Sequence, residues 1–557
     1  MPDIDFVTST GDACIDALLS GSKWETNSLT FSFPSSSSYY GRYYGYGEPT
    51  DAFETLNSVQ KATARIALKQ YASVANLYFK EVTETSSTHA VLRFAKSDAP
   101  STAWAYYPSI ADHGGDLWFN NSDGDYDAPR KGNYAYATFL HELGHALGLK
   151  HAHEDGAMPY ARDSMEYTVM TYRSHVGASS VSGYTNETWG FAQSLMMYDI
   201  AALQHMYGAR YSTNSGNTTY SWNPKTGEMY ISGKGQGAPG GNQIFLTIWD
   251  GGGTDTYDLS KYTTAVQVDL RPGQWTKTAS EQLAKLNLSG TKKAIGNIAN
   301  ALLFNGDPRS LIENAKGGSG SDIIKGNTAR NSLFGNAGND KLYGYSGNDI
   351  LNGGLGKDAL YGGWGTDCVS YSDAKSAVSI DLMRSSKNGG AALGDTIYEV
   401  EGVIGSAYSD TIRGNGGNNI IKGGAGNDKI YARGGNDVLD GGAGNDMLYG
   451  NAGQDTMTGG SGSDVFVFAE TGITEIDTIR DFSSRYDRID LRAIDADTGT
   501  AGDQAFTYIF MTDFSGKAGE LRCLEGVVLG DVNGDSIADF QIAVFGYTTL
   551  AKSAFYL

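Results

Sequence analysis

Between Gly317 and Val467 the chain repeats itself every nine residues, and few folds accommodate that period. The first units read GGSGSDIIK, GNTARNSLF, GNAGNDKLY, GYSGNDILN, GGLGKDALY and GGWGTDCVS; after a break, seven more run from Gly405, the last starting at Gly459. Position six is Asp in eleven of these thirteen units and Asn in two (Asn331, Asn419), while position eight is apolar in all of them. Glycine permits turns with φ > 0, and one apolar residue per unit faces a core, so the units are expected to stack as short parallel strands in a β-roll. A flexible linker has no use for the apolar eighth position. The 74 glycines come with only 11 prolines, which excludes collagen and proline-rich disorder. Calcium takes six or more hard oxygens, which backbone carbonyls and Asp carboxylates two repeats apart would supply. The candidate calcium ligands are Asp255, Asp322, Asp340, Asp349, Asp358, Asp367, Asp410, Asp428, Asp437, Asp446, Asp455 and Asp464.

Asp255 enters through an internal duplication. Gly253-Thr254-Asp255 precedes Asp269 of AVQVDL by the same interval at which Gly365-Thr366-Asp367 precedes Asp381 of AVSIDL, and a Glu (Glu313, Glu401) stands four residues before each repeat block. A further cluster, Asp531-Val532-Asn533-Gly534-Asp535 with Asp539, resembles the first half of a calcium loop but lacks a later bidentate Glu; an Asp-rich turn is the equal alternative. Strand-like segments after Phe466, among them IDTIRDF and RIDL, are expected to close the domain.

Upstream the pattern is α+β. Leu56, Val59, Ala62, Ile66, Tyr71 and Val74 predict a long amphipathic helix from 53 to 79; strands are expected at 91–94 and 116–120, and helices at about 136–147 and 194–207. Residues 1–20 read as a loosely structured leader, and SSSSYYGRYYGY (35–46) as a surface loop. Cys14, Cys368 and Cys523 are too few and too scattered for a disulfide framework or a cysteine metal site. A net charge of −21 argues against nucleic acid or an anionic membrane as partner. The start is acidic where a signal peptide is basic, and no 18-residue apolar span occurs, so export would need another route and no transmembrane segment is expected.

His141-Glu142-Leu143-Gly144-His145-Ala146-Leu147-Gly148-Leu149-Lys150-His151 fits HExxHxxGxxH. Histidines four apart share one helix face, so His141 and His145 can reach one Zn²⁺, and Gly148 lets the chain turn back to present His151. Three imidazoles leave a position for water. Glu142 is suited to act on that water as general base and then as proton donor to the leaving amine. Structural zinc sites use four protein ligands, often cysteines, and no fourth is evident here. His153, Glu154, His175 and His205 are read as loop or packing residues. For Cys14 a small half-buried role is set against a thiolate at the zinc of a zymogen.

Beyond the motif, Tyr167-Thr168-Val169-Met170-Thr171-Tyr172 supplies a methionine turn, and the chain resembles the serralysins, metzincin proteases of the repeats-in-toxin (RTX) group. The likeness runs through IDALLSGSKW, YGYGEP, GGDLWFN, GNYAYATFLHELGHALGL, DSMEYTVMTY, MMYDIAALQHMYGA and the repeats. It implies a leader or short propeptide at 1–20, an α+β metzincin-type catalytic domain at 21–250, and an all-β RTX β-roll/β-sandwich domain at 251–557 with repeat blocks 317–370 and 405–468. Tyr172 would be a weak zinc ligand that moves to stabilise the oxyanion, Met170 would underlie the zinc, and the edge strand Asp116, Leu117, Trp118, Phe119 and Asn120 would pair with an extended substrate. Ala152 stands where serralysins usually have Pro, and Met158 lies where matrixin-type metzincins place their methionine turn; Met170 is preferred because Tyr172 accompanies it. The expected protein is a monomeric, secreted metalloendopeptidase acting on proteins and peptides, with one catalytic zinc, several structural calcium ions and export by type I machinery through a C-terminal signal. The rival is a calcium-roll adhesin that keeps a decayed protease domain.

Overall fold

The computed structural model describes residues 2–41, 44–122, 124–154 and 156–557, the side chains of 472–474 excepted. It divides into two compact units, Met1–Lys316 and Gly317–Leu557.

In the first unit a twisted sheet packs on three helices. Its strands are β1 (Ser28–Ser32), β2 (Tyr78–Glu81), β3 (Leu92–Ser97), β4 (Ala103–Ala105) and β5 (Leu117–Asn120), in the order β2-β1-β3-β5-β4. These five are parallel except β4, which runs antiparallel to β5 with Trp104 opposite Trp118; a sixth, two-residue strand, Glu54–Thr55, pairs antiparallel with β3 off this path. Helix α1 (Ser58–Val74) starts at a capping box between Asn57 and Gln60. Its buried face is Thr63, Ala64, Ala67, Leu68, Tyr71 and Val74, whereas Val59 and Ile66 are exposed. The helix is shorter than the expected 53–79, since Glu54–Thr55 and Tyr78–Glu81 pair as strands, and its buried stripe is rotated toward small residues, which let the neighbouring elements come close.

Helix α2 (Tyr134–Ala146), capped by Asn133, is buried on all sides from Ala135 onward. Its mean hydropathy around the whole circumference, not one stripe, suits a helix enclosed between α1, the sheet and α3 (Met197–Tyr207). The same core takes in Phe245, Trp249, Ala284, Leu286, Ala294 and Ala299. The first compact unit therefore runs past residue 250, where the sequence places the end of the catalytic domain, to Lys316.

Two segments read as loose are ordered. In the expected leader, Ile4–Phe6 pairs with Ser22–Trp24, Leu18 and Trp24 are fully buried, and the Lys150 N–H donates to the Leu18 carbonyl at 2.8 Å. In the 35–46 segment, of which Arg42 and Tyr43 lie outside the described residues, Tyr40 and Tyr44 are buried against Trp118. Both corrections have one cause: aromatic and aliphatic side chains in a low-complexity stretch still bury when a sheet face is available.

The second unit is a roll of short parallel strands. Strands that pair are offset by eighteen residues, as in Ile323 with Lys341 and Val438 with Thr456, so two nine-residue units, each with its own tight turn, make one full coil of the roll and strands alternate between two stacks. The position-eight residues, Ile324 through Phe466, are at most 1% exposed and form the core between the stacks. Antiparallel strands Glu520–Leu524, Val527–Asp531 and Phe540–Val544 follow the roll. The duplicated segments take equivalent forms. Thr256–Asp258 and Gln267–Asp269 are strands in one copy, Cys368–Ser370 and Val378–Asp381 in the other.

Candidate metal centre and cleft

His141 and His145 lie one turn apart on α2, and the chain returns His151 to them through Gly148. Gly148 has φ +105°, and a Cβ there would meet the Ser22 carbonyl oxygen at 2.3 Å, so only glycine fits the exit. The three Nε2 atoms form a triangle with sides of 3.0–3.1 Å. Each Nδ1 is engaged elsewhere: His141 with the Val169 carbonyl at 2.8 Å, His145 with the Leu149 carbonyl at 2.7 Å, and His151 with Glu154 Oε1 at 2.5 Å. A proton on each Nδ1 leaves three Nε2 lone pairs facing one another, an arrangement that repels unless a cation lies among them. Burial holds His141 down at about 4 and His151 at about 2, and pushes His145 well below the usual imidazole range, so all three imidazoles are neutral, the form in which a nitrogen can accept a metal. Zn–N bonds of about 2.0–2.1 Å reach one point from nitrogens so spaced; the donor set fits zinc. Among the described residues this is the one group of three or more His, Cys, Asp or Glu with metal-ligand spacing.

Glu142 is 5% exposed, its Oε2 has no hydrogen-bond partner, and burial pushes its carboxyl up to about 8. Beneath the histidines, Met170 is fully buried, its sulfur against Gly144 where a Cβ would come within 2.5 Å. Met158 is buried in the same core, but it is Val169 that holds His141 and Tyr172 that faces the imidazoles. The Tyr172 ring centroid is 4.4 Å from that of His151 and 5.8 Å from that of His141, and burial lifts its hydroxyl to about 12. Asp199, at the start of α3, accepts from Thr168 Oγ1, the Val169 N–H and the Met196 N–H, tying this turn to the helix.

Glu154 and Asp199 were not legible as site residues. Glu154 had a signal in its i+3 spacing from His151; Asp199 had none. His153 stacks on His151 and Tyr172, at 5.3 and 4.9 Å, without joining the triangle. Cys14 sits beside Tyr198 and Arg162 on the α3 side and is not part of the histidine group, so the thiolate arrangement weighed for it is not formed.

A cavity of about 620 Å³ opens beside Glu142, lined by Ala103, Tyr134, Thr138, Val169, Tyr172 and Tyr184 among others. The strand at its rim is β4. Asp116–Asn120 is not an edge: β5 is paired on both sides and every residue of the segment is buried. Asp116 instead binds the buried Arg93 guanidinium and accepts from the Tyr44 hydroxyl. That expectation is overturned because the short β4 covers β5. The Asn120 N–H bonds Thr102 and the Tyr106 N–H bonds Asp116, so by alternation the peptide groups of Ala103 and Ala105 face the free side.

The candidate calcium residues are all buried, at most 1% exposed. In the roll they stand in columns. From the third unit of each block onward, one carboxylate oxygen accepts the backbone N–H of the position-six residue eighteen before, as Asp340 does from Asp322 and Asp446 from Asp428, while Asp410 accepts from the Val378 N–H. Burial, reinforced by neighbouring carboxylates against their backbone bonds, pushes Asp340, Asp349, Asp428 and Asp437 up to about 7. Glu401 serves the columns too, accepting from the Asp367 N–H, and within the first unit Glu313 accepts from the Asp255 N–H in the same way. Asp255 lies against Asp250 in the first unit. The Asp531 cluster is closed on itself, with Asp531 accepting from three backbone N–H groups and Asp539 from the Val532 N–H and Asn533.

Comparison with known families gives two matches. A model described as matrixin covers residues 46–174, and one described as the Peptidase M10 serralysin C terminal covers residues 209–555, more than half of the chain. Among curated relatives, the chain is 32% identical over 312 residues to metalloprotease AprA of Pseudomonas entomophila (53% of this chain, 58% of the relative). It is 31% identical over 287 residues to serralysin C of Dickeya chrysanthemi (49% and 54%) and 32% over 324 residues to serralysin of Proteus mirabilis (53% and 58%). These matches span only about half of the length of each relative.

Proposed function

This chain belongs to the serralysin family, and from that premise we propose that it is a secreted zinc-dependent endopeptidase whose roll is stabilised by calcium. The observation that carries the reading is the triangle of neutral Nε2 atoms, with the unpartnered Glu142 carboxylate buried at its side and a cavity in front. His141, His145 and His151 would hold one zinc, which when bound lowers the pKa of a water toward about 7 and polarises the scissile carbonyl. The remaining chemistry belongs to the chain. Glu142 removes a proton from the attacking water and delivers it to the leaving amide nitrogen, its low-dielectric setting keeping the proton affinity high enough for both steps. Tyr172 donates its hydroxyl to the oxygen that gains charge in the transition state.

An extended substrate adds as a further strand on the free edge of β4, and one of its side chains enters the cavity. Release by type I machinery and a monomeric state complete the reading, in keeping with the lack of any helix among the described residues long and apolar enough to cross a membrane. The test is Glu142→Ala. The variant is expected to bind one zinc per chain and to lose nearly all casein and peptide cleavage. Cleavage near the wild-type rate would overturn the assignment, and a zinc-loaded wild type that cleaves no casein would return the chain to the adhesin reading.

A further inference from the structure

The thirteen turns of the roll are of two kinds. In four of them, the first two of each block, the position-six side chain closes its own turn by accepting the backbone N–H of position two. Asp322 accepts from Gly318 at 2.6 Å, Asn331 from Asn327 at 2.8 Å, Asp410 from Ser406 at 2.5 Å and Asn419 from Asn415 at 2.8 Å. In the other nine, Asp340 through Asp464, no such bond forms. There Oδ2 of every aspartate is buried without a hydrogen-bond partner, although each of these residues is at most 1% exposed.

Backbone conformation separates the same two sets. In all nine open turns positions two and four are left-handed, for example Asn336 (+71°) with Gly338 (+131°) and Arg433 (+84°) with Gly435 (+104°). In none of the four closed turns is either position left-handed. Holding Arg433 or Tyr345 at positive φ costs energy, and a buried carboxylate oxygen without a donor costs more, so nine repetitions of both call for a shared compensating partner. A hard cation is the partner that chemistry supplies. The sequence divides in the same place. Every open turn has Gly at position four and Asp at position six, whereas three of the four closed turns depart, with Ala329 and Tyr408 at position four and Asn331 and Asn419 at position six.

We propose that, of the thirteen turns of the roll, only the nine open ones hold calcium, and that the paired closed turns heading each block are calcium-free caps on which the calcium-holding turns stack. This rests on reading the roll as a calcium-binding structure. It removes Asp322 and Asp410 from the candidate ligands. The caps meet their own hydrogen bonds, so they form a platform that needs no ion, and the two Asn residues are tolerated there because an amide oxygen accepts an N–H as a carboxylate does.

Calcium bound per chain is counted by equilibrium dialysis on the full chain, in wild type, Asp410→Asn, Asp446→Asn and Asn419→Asp. Asp410→Asn is expected to keep the wild-type count, Asn419→Asp to gain no ion, and Asp446→Asn to lose about one ion and to need several-fold more calcium for folding, followed by circular dichroism. An equal loss from Asp410→Asn, or an added ion in Asn419→Asp, would overturn the assignment while leaving calcium binding by the roll intact. A wild type that binds no calcium would overturn both. Should Asp446→Asn not fold, the Asn419→Asp count still decides.

Discussion

A histidine that ligates through Nε2 is aimed by whatever holds its Nδ1, and the three imidazoles here are held by unlike groups. Backbone carbonyls hold His141 and His145, but His151 depends on the Glu154 side chain alone. Glu154→Ala should therefore weaken zinc binding by about 10–100-fold without changing the ligand set, measured by competition against a chromophoric chelator. An unchanged affinity would show that the loop holds His151 without the carboxylate. Asp199 acts one step further back, on the turn whose Val169 carbonyl fixes His141. Asp199→Ala leaves three buried donors without an acceptor, and should cost roughly 3 kcal/mol in urea unfolding together with much of the activity. At this scale the HExxHxxGxxH spacing was sufficient for the ligands and for Glu142, because a helix and one glycine dictate their geometry. Of the carboxylates behind them, Glu154 had its i+3 spacing from His151 as a signal, whereas Asp199 was not legible, since its partners lie about thirty residues away in the sequence or are backbone N–H groups that the fold alone brings near.

Among the elements, the sheet edge decides where a substrate can lie. β4 is three residues long and carries no strand pattern of its own, so the sequence marks the apolar LWFN segment instead, and only the register of Trp104 on Trp118 reveals which of the two is exposed. The peptide groups of Ala105 face the free side, and a proline is tolerated on an outward-facing edge position. Ala105→Pro should keep fold and zinc content while raising KM and lowering kcat/KM for extended peptides by about tenfold, the worth of one lost hydrogen bond of roughly 1.4 kcal/mol at the upper end of the usual range. Unchanged kinetics would place the substrate elsewhere. The helices were legible as elements but not in phase: Val59 and Ile66 fit the apolar period of α1, yet the smaller Ala64 and Ala67 face the core because close packing favours them there.

For the whole molecule, the two units pose different folding problems. The first has a contiguous hydrophobic core reaching from Ala17 to Ala301, beside a small cluster of Tyr40, Tyr44, Ala95 and Trp118. The second buries columns of carboxylates whose mutual repulsion calcium would relieve, so chelated full-length protein should lack much of its β signal in circular dichroism and regain it over a narrow range near 10⁻⁴ to 10⁻³ M calcium, about the affinity of extracellular modules. A spectrum indifferent to calcium would contradict that. The roll was legible from its period alone, because each nine-residue unit repeats one local solution; the extent of the first unit was not, because residues 251–316 belong to it by packing rather than by composition. The central claim is that one zinc at the three histidines makes this chain a peptidase. Its most direct test is to strip the full chain of zinc, keep calcium saturating, and follow peptide cleavage as zinc is added back. Activity should rise linearly and level off at one zinc per chain; cleavage in the zinc-free protein, or none at any zinc level, would contradict it.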